Sequence, residues 1–380
     1  MKRIIKHMDK QLFFLTIILF LLGLMMILSA SSDTAYIRHA VSPYNYFIKQ
    51  AVFLGAGVLI FLMLIPFPTR IYGAFSRGLM IILGISLAIL PFVGSAQNQA
   101  KSWYDLGYVS FQPSEFIKVV TIVYLAHYYD KNKNKLNSYT KALYPIFLCG
   151  AMAFMIFIQP DLGTVIIYCS IVGVIFLAVP IKKEIKTKTV FTIIGLIVFA
   201  GFALFSVGKS LLYQRQSERL NYKNPCDRLL NEGNQVCNGY IAINNGGLWG
   251  KGLGNSTQKH LYLPEPYTDF IFAIIIEELG LVTGIIIILI YMWILLRILV
   301  IGKNSKSNRG SIICYGVAFY IFVHIAINLL GLFGVMPMTG VPLPFMSYGG
   351  SFTICLIAAL TIVQRVSVEN GLAKGEEKNA

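Results

Sequence analysis

The sequence predicts an all-α polytopic membrane protein of about ten transmembrane helices, with both termini in the cytoplasm. Three observations support this fold class. The 380 residues are 56% hydrophobic and only 13% charged, which is too little charge to cover the surface of a soluble chain of this size. Apolar runs of about 20 residues, long enough to cross the hydrocarbon as helices, recur along the chain. The lysines stand in short clusters between these runs, a pattern typical of membrane topology.

The apolar runs are interpreted as ten transmembrane helices. They lie near residues 12–30, 51–67, 79–95, 115–129, 142–158, 162–180, 190–208, 270–300, 311–335 and 350–364. The fourth run is the weakest, because it is short and carries Lys118. We expect residues 1–365 to form one transmembrane domain, with residues 209–269 as a large extracytoplasmic loop between helices 7 and 8. Residues 366–380 are expected to be a solvated cytoplasmic tail.

Basic residues set the orientation of the predicted helices. With the N-terminus inside, the inner segments carry basic clusters at residues 2–10, 70–77, 131–141, 182–188, 297–309 and 365–378. The short outer loops hold only Arg38, Lys49 and Lys101. The 209–269 loop holds further basic residues, but loops of that length count little in the positive-inside rule.

Composition also argues against several classes of function. The net charge of +15 would suit nucleic acid, but no basic face with interleaved aromatics accompanies it. The cysteines form no CxxC pair and the histidines no HExxH motif, so the sequence carries no zinc signature. No internal repeat is visible, which weakens a transporter built from duplicated halves.

Polar residues gather in the outer loops and at the outer ends of the runs, where each is a functional candidate. The first cluster contains Lys101 and Trp103 and ends in a Pro-Ser pair that suits a helix start, with Glu115 in the first turn. Glu115 and Lys118 stand at i and i+3 and share a helix face. They are either a mutually neutralising pair that allows a polar helix in lipid, or a cationic group facing a cavity for an anionic ligand.

Two further polar stretches contain candidate ligand-contacting residues. In the short turn 159–164, Asp161 either caps the next helix or belongs to the outer polar surface. The glycine-rich stretch 244–259 resembles a phosphate cradle, but its Gly/Lys spacing is wrong for a P-loop. We interpret it, together with Gln258, as a tight backbone that lets an extracytoplasmic ligand approach closely.

The stretch 263–278 leads into the eighth run. Thr268 or Asp269 is expected to cap that helix. Asp269 and Glu277 are eight residues apart, about 80° around an ideal helix, so Glu277 is expected to help line the same cavity, whereas Glu278 points away.

The last polar stretch, residues 336–351, contains Ser347 and several prolines and glycines. These residue types forbid a regular helix. Irregular backbone near membrane depth persists only where it is buried in protein or lines a wet cavity, so we interpret this stretch as a cavity roof.

At these motifs the sequence resembles the SEDS family (shape, elongation, division and sporulation proteins), over nearly the whole chain. The resemblance rests on residues 111–115, 159–164, 263–272 with 277–280, and 340–351. Within the family, residues 254–259 followed by 262–265 are closer to the division and sporulation branches than to the elongation branch.

The resemblance implies a peptidoglycan glycosyltransferase that polymerises lipid II outside the cytoplasmic membrane. The family's essential aspartate falls on Asp269, its loop tryptophan on Trp103 and its intramembrane lysine on Lys118. Ser102 stands where the family often has an arginine, which leaves open which cation meets the diphosphate. The implied partner is a class B penicillin-binding protein. A lipid II flippase and a non-catalytic divisome scaffold are the alternatives.

The expected reaction needs a base for the acceptor hydroxyl and positive charge on the departing diphosphate. Asp269 is the candidate base, and Lys118, Lys101 or a divalent cation (Mg²⁺ or Mn²⁺) is the candidate charge. The other candidate substrate-contacting residues are Trp103, Glu115, Asp161, Glu277, Gln258 and Ser347. A disulfide between Cys226 and Cys237, both in the polar outer loop, would contribute about 2–3 kcal/mol.

Overall fold

The computed structural model describes residues 2–97, 100–105, 107, 109–192, 195, 225–227, 232–260 and 262–379. The α-helices are α1 (Lys2–His7), α2 (Lys10–Asp33), α3 (Asn45–Leu64), α4 (Thr69–Val93), α5 (Pro113–Lys131), α6 (Tyr139–Ile158), α7 (Leu162–Ala178), α8 (described over 183–192), α9 (Glu232–Gly246), α10 (Ile271–Lys303), α11 (Asn308–Leu332) and α12 (Gly350–Asn379). A small antiparallel sheet of β1 (Ser95–Gln97), β2 (Ala100–Asp105) and β3 (Ser110–Phe111) joins α4 to α5.

The helical membrane fold is as predicted. Seven of the described helices are long and apolar enough to cross a membrane, and α7 is a shorter apolar helix. The predicted runs correspond to α2–α7 and α10–α12 and extend past the helix ends by at most three residues. The exception is the run near 190–208, which lies largely outside the described residues.

Helix α5, the least certain span in the sequence, is enclosed by its neighbours. It packs against α4, α6, α7, α11 and α12. Glu115 and Lys118 are buried within it. A membrane-embedded helix tolerates such residues when they face protein rather than lipid, which explains why its apolar run is short.

Helices α2 and α10 pack side by side and are tied at both ends. At one end Asp9 forms an ion pair with Arg297. At the other end the hydroxyl of Ser29 donates to the two carboxylate oxygens of Glu278 at 2.8 and 2.7 Å. The two ties are about 20 residues apart along each helix, or about 30 Å at the helical rise. This is close to the hydrocarbon thickness of about 30 Å, and we interpret the two contacts as lying near the inner and outer boundaries.

Helix α10 is broken at Gly280, where φ is 87° and ψ is 163°. The carbonyls of Glu277 and Glu278 accept hydrogen bonds from the backbone N–H groups of Lys251 and Gly252, both at 2.9 Å. On the other side of the break, the N–H groups of residues 281 and 282 donate to the carbonyls of residues 247 and 248, at 3.0 and 3.2 Å. The loop over 247–252 therefore replaces the hydrogen bonds that the helix loses.

We expect Gly280→Ala to destabilise this junction. A Cβ at Gly280 would lie 2.5 Å from the backbone carbon of Trp249, and its φ/ψ region is almost restricted to glycine, at a cost of about 1–3 kcal/mol for other residues. Faster proteolysis of the loop over 247–260 and a lower unfolding temperature in detergent are the expected results. Gly150→Ala is the matched control, because nothing lies within 4 Å of a Cβ there. Equal behaviour of the two variants would contradict the strained junction.

The segment 333–349 between α11 and α12 re-enters the bundle. The backbone of Phe345 packs against Gly23 of α2. Tyr291 of α10 donates to the carbonyl of Pro344 at 2.5 Å. Gly23 is about 9 Å below Ser29 by the helical rise, so the segment reaches below the outer boundary. Leu343 and Met346 are fully buried, so this irregular backbone is enclosed by protein, one of the two conditions that the sequence left open.

The prediction of a solvated tail after residue 365 is wrong for residues 366–373, which are buried or half-buried. Helix α12 continues to Asn379, with Val366 and Val368 buried. The hydroxyl of Ser367 donates to the carbonyl of His7 at 3.1 Å. The charged composition concealed an apolar face that packs against α1 and the inner end of the bundle.

Candidate active site at the outer end of the bundle

Asp269 lies immediately before helix α10 and is half-buried. The N-cap of α10 is Phe270, with no side-chain capping hydrogen bond. The hydroxyl of Thr268 donates instead to the carbonyl of Glu265 at 2.9 Å. The prediction that Thr268 or Asp269 caps this helix is therefore wrong. The Asp269 carboxylate lies beside Gly340, since a Cβ at Gly340 would be 3.4 Å from Oδ2.

The backbone of Asp269 is held by Asn328 of α11, a residue that sequence reasoning missed. The buried side-chain amide of Asn328 donates to the carbonyl of Asp269 at 3.1 Å and to that of Val341 at 2.8 Å. One side chain thus joins the start of α10 to the 333–349 segment. Asn328 is a positioning residue for Asp269.

The residues before Asp269 are tied to the same segment. The hydroxyl of Ser347 donates to the carbonyl of Thr268 at 2.6 Å, and the N–H of Tyr348 donates to the carbonyl of Tyr267 at 2.9 Å. Ser347 is buried and its oxygen also accepts from the N–H of Leu343 at 2.8 Å. Ser347 therefore supports the backbone beside Asp269, rather than meeting substrate as the sequence suggested.

Three tyrosine rings pack next to this junction. The ring of Tyr46 lies 4.4 Å from that of Tyr267 and 5.1 Å from that of Tyr348. Burial raises the pKa of Tyr267, and it raises the pKa of Tyr348 to about 12. Both phenols therefore stay protonated at neutral pH.

Two other sequence motifs meet the 333–349 segment and the start of α12 that follows it. Gly163, in the 159–164 turn, packs against Thr339, whose carbonyl oxygen would be 3.2 Å from a Cβ at Gly163. The N–H of Gln112 donates to the hydroxyl of Ser351 at 3.1 Å. The motifs around residues 112, 163, 269 and 340 therefore converge, although they are far apart in the sequence.

Lys118 is fully buried rather than facing an open cavity. Its Nζ lies 2.8 Å from Oε1 of Glu115 and 3.1 Å from Nε2 of His324. The same nitrogen is 5.7 Å from the centroid of the Tyr320 ring. The structure supports the mutually neutralising pair, and the expectation that Lys118 or Glu115 meets an anionic ligand directly is wrong for this conformation.

His324 completes this buried cluster and was not predicted. It stands one helical turn before Asn328 on α11, so the two side chains share a face of that helix. One contacts the Lys118 cluster and the other holds Asp269. The signal was present in the sequence, because a histidine and an asparagine four residues apart interrupt an otherwise apolar run.

Glu277 does not line a cavity with Asp269. Its side chain is fully buried, and Oε1 accepts from the N–H of Thr257 at 3.1 Å, from its hydroxyl at 2.8 Å and from Nζ of Lys251 at 3.2 Å. The hydroxyl of Ser256 donates to Oε2 at 2.5 Å, and the backbone N–H of Gln258 donates to it at 3.3 Å. Glu277 and the buried Gln258 therefore anchor the 251–260 loop.

Glu278 anchors the end of the same loop. Its Oε1 lies 2.9 Å from Nζ of Lys259, and Nζ of Lys259 also donates to the hydroxyl of Ser29 at 3.2 Å. The 251–260 loop is thus bound through two adjacent carboxylates, both fully buried.

The remaining predicted residues lie at the same end of the bundle. Lys101 is exposed on β2, with Nζ 3.4 Å from the carbonyl of Pro91. Trp103 is half-buried on the same strand. Asp161 caps α7, accepting from the N–H and hydroxyl of Thr164 at 3.1 and 2.8 Å. Lys101 is therefore the accessible one of the two lysines considered for the diphosphate.

Cys226 and Cys237 form a disulfide in the outer loop. It joins the turn at Pro225–Asp227 to helix α9. Within the described residues there is no group of three or more His, Cys, Asp or Glu side chains that could hold a metal ion.

The fold and site define a multi-pass integral protein of the cytoplasmic membrane, with a half-buried aspartate held between a broken helix and a re-entrant segment at its outer end. The family model for FtsW/RodA/SpoVE cell cycle proteins matches residues 10–371. The chain belongs to this family.

Its relatives include division and sporulation proteins. The probable peptidoglycan glycosyltransferase FtsW of Bacillus subtilis (strain 168) is 32% identical, covering 97% of this chain and 92% of that protein. Stage V sporulation protein E of the same organism is 34% identical, covering 94% and 96%. The subgroup predicted from residues 254–265 agrees with these relatives.

Solved structures show the same fold. A chain of a peptidoglycan synthase complex, described for its coordination of polymerization and crosslinking, superposes with a TM-score of 0.76 at 23% identity, covering 96% of this chain and 98% of that chain. The rod shape determining protein RodA of Thermus thermophilus gives a TM-score of 0.66 at 23% identity, covering 95% and 96%.

Proposed function

We propose that this protein is a peptidoglycan glycosyltransferase that polymerises lipid II at the outer face of the membrane, with Asp269 as the general base. The difference in exposure between Asp269 and the two carboxylates that follow it on α10 supports this proposal most directly. Glu277 and Glu278 are fully buried and bound to the 251–260 loop. Asp269 is half-buried, and its backbone is fixed by Asn328. A positioned, accessible carboxylate is what proton abstraction from a sugar alcohol requires.

In the proposed reaction the 4-hydroxyl of the acceptor GlcNAc attacks the anomeric carbon of the donor. The new C–O bond forms as the bond from that carbon to the diphosphate breaks, and Asp269 takes the hydroxyl proton. The diphosphate leaves without protonation, so a second carboxylic acid of the kind that glycosidases use is unnecessary.

Positive charge near the diphosphate stabilises the transition state. The exposed Lys101 is the candidate from this chain. Lys118 is enclosed with Glu115 and His324, and its proposed part is to fix the helices around the site. A divalent cation, Mg²⁺ or Mn²⁺, is the other candidate.

The proposed partner is a class B penicillin-binding protein, which would crosslink the strands that this protein makes. The support is the fold shared with a chain of a peptidoglycan synthase complex. Co-purification of the two membrane proteins, and a higher polymerisation rate of the pair, are the expected results.

Purified protein supplied with labelled lipid II tests the proposed activity. The expected products are glycan strands that a muramidase digests. A flippase would move lipid II between leaflets without making strands, and a scaffold would do neither.

Asn328→Leu is expected to slow polymerisation by lowering kcat more than it raises KM. The variant removes the donor from two carbonyls, those of Asp269 and Val341, and a lost buried hydrogen bond costs about 1–3 kcal/mol. If half of that energy, about 0.5–1.5 kcal/mol, is lost from the transition state, the rate falls about 2- to 13-fold. Steady-state kinetics of the purified variant measure the split.

Asn370→Leu is the matched control for this prediction. Asn370 donates to the carbonyl of Ile301 at 3.1 Å, at the inner end of the bundle. We expect it to lower stability without a specific loss of kcat. Equal kcat values for the two variants would show that Asn328 has a structural role only.

A further inference from the structure

The loop over 247–253 presents large apolar side chains to the surroundings at the outer end of the bundle. Leu248, Trp249 and Leu253 are 60%, 79% and 52% exposed. They belong to the loop that is hydrogen-bonded into the break of α10 at Gly280. A cluster of exposed apolar side chains of this kind indicates an interaction surface, not a loop that faces only solvent.

The position of this loop relative to the membrane follows from the two ties between α2 and α10. The Asp9–Arg297 ion pair lies beside the basic clusters at 2–10 and 297–309, which the positive-inside rule assigns to the cytoplasmic side. The Ser29–Glu278 hydrogen bonds lie about 30 Å away. That distance equals the thickness of the hydrocarbon layer. Gly280 follows Glu278 by two residues along α10, and the backbone of Trp249 packs against Gly280. Trp249 therefore lies at the outer membrane–water boundary.

The residue types suit that depth. Tryptophan is enriched at membrane–water boundaries, because its ring is largely apolar and its N–H seeks a polar partner. The nearby charge of Lys251 is directed inwards, with Nζ 3.2 Å from Oε1 of Glu277. The side chains that project from the loop at this height are thus mainly apolar.

We propose that Leu248, Trp249 and Leu253 insert into the outer leaflet at the boundary between headgroups and acyl chains. The occupant of this surface is phospholipid. The loop continues through the anchored residues 251–260 towards Asp269, so the inserted side chains fix the height of the aspartate above the bilayer. This last consequence depends on the proposed function, whereas the insertion itself does not.

Depth-dependent fluorescence of single-tryptophan variants tests the insertion. The chain has three tryptophans, so W103F/W293F leaves Trp249 and W103F/W249F leaves Trp293. Trp293 is 52% exposed on α10, four residues before Arg297 and so about 6 Å from the inner boundary, and serves as the lipid-contacting control. Both variants are reconstituted into nanodiscs of phosphatidylcholine with or without bromine on the acyl chains.

Brominated lipid should quench both tryptophans. Quenching of Trp249 by lipids brominated near the headgroup should exceed that by lipids brominated near the chain end. Strong quenching of Trp249 by acrylamide with no response to brominated lipid would overturn the proposal, because the loop would then be in water.

Activity provides a second measurement. Trp249→Glu should reduce polymerisation in proteoliposomes more than in detergent, whereas Trp249→Phe should retain activity in both. Equal losses for Trp249→Glu in both environments would overturn the height-setting role. The fluorescence measurement requires no activity, so failure of the insertion and failure of the proposed function are distinguishable.

Discussion

Asp269→Asn is expected to lower the rate of lipid II polymerisation by about 10²–10⁴-fold, the usual contribution of a general base. The asparagine amide has nearly the same shape as the aspartate carboxylate, but it cannot take the proton of the acceptor hydroxyl. The hydrogen bonds from Asn328 and Ser347 reach backbone carbonyls at residues 269 and 268, so the substitution leaves them in place. The measurement is the initial rate of strand formation by purified protein at equal concentration of folded protein.

Asp227→Asn is the matched control for charge loss in the outer loop. Asp227 is exposed and lies next to the disulfide at Cys226. We expect the Asp227→Asn protein to polymerise lipid II at the wild-type rate. Both variants should insert into the membrane and fold alike. A rate for Asp269→Asn near that of Asp227→Asn would contradict the assignment of Asp269 as the base.

Lys118→Met is expected to destabilise the bundle by about 3–5 kcal/mol, because it leaves the buried carboxylate of Glu115 without its partner. Combining it with Glu115→Gln should recover most of the loss, since the uncompensated charge is then removed as well. Reversible denaturation in mixed micelles, applied to both single variants and the double variant, measures the coupling between the two residues.

Lys183→Met is the control, because Lys183 is exposed on α8 and surface substitutions usually change stability by about 0.5 kcal/mol or less. If Lys118 instead binds the substrate diphosphate, Lys118→Met and the double variant will both be inactive while remaining as stable as the control. That outcome would contradict the assignment of Lys118 to a structural cluster.

The features predictable from sequence were those with local signals. Long apolar runs marked the spans, and basic clusters between them indicated the orientation. Prolines and glycines in 336–351 indicated irregular backbone near membrane depth, which the structure shows as the re-entrant segment. The motif around Asp269 indicated the outer end of a helix, although the capping role was wrong.

The features that sequence analysis missed depend on contacts between distant segments. The angle between Asp269 and Glu277 on an ideal helix predicted that Glu277 lines a cavity with Asp269. In the structure the 251–260 loop folds back and binds the Glu277 carboxylate instead. The partners of Lys118 and Asp269 on α11 are 206 and 59 residues away from them along the chain. The hydrophobic periodicity of the sequence does not predict contacts between residues so far apart.

The most direct test of the central claim uses sealed proteoliposomes containing the purified protein, with labelled lipid II supplied to the face that carries Asp269. The proposed function predicts muramidase-sensitive strands on that face from wild type and Asp227→Asn, and almost none from Asp269→Asn. Movement of unpolymerised lipid II to the opposite leaflet, with no strands from the wild type, would contradict it.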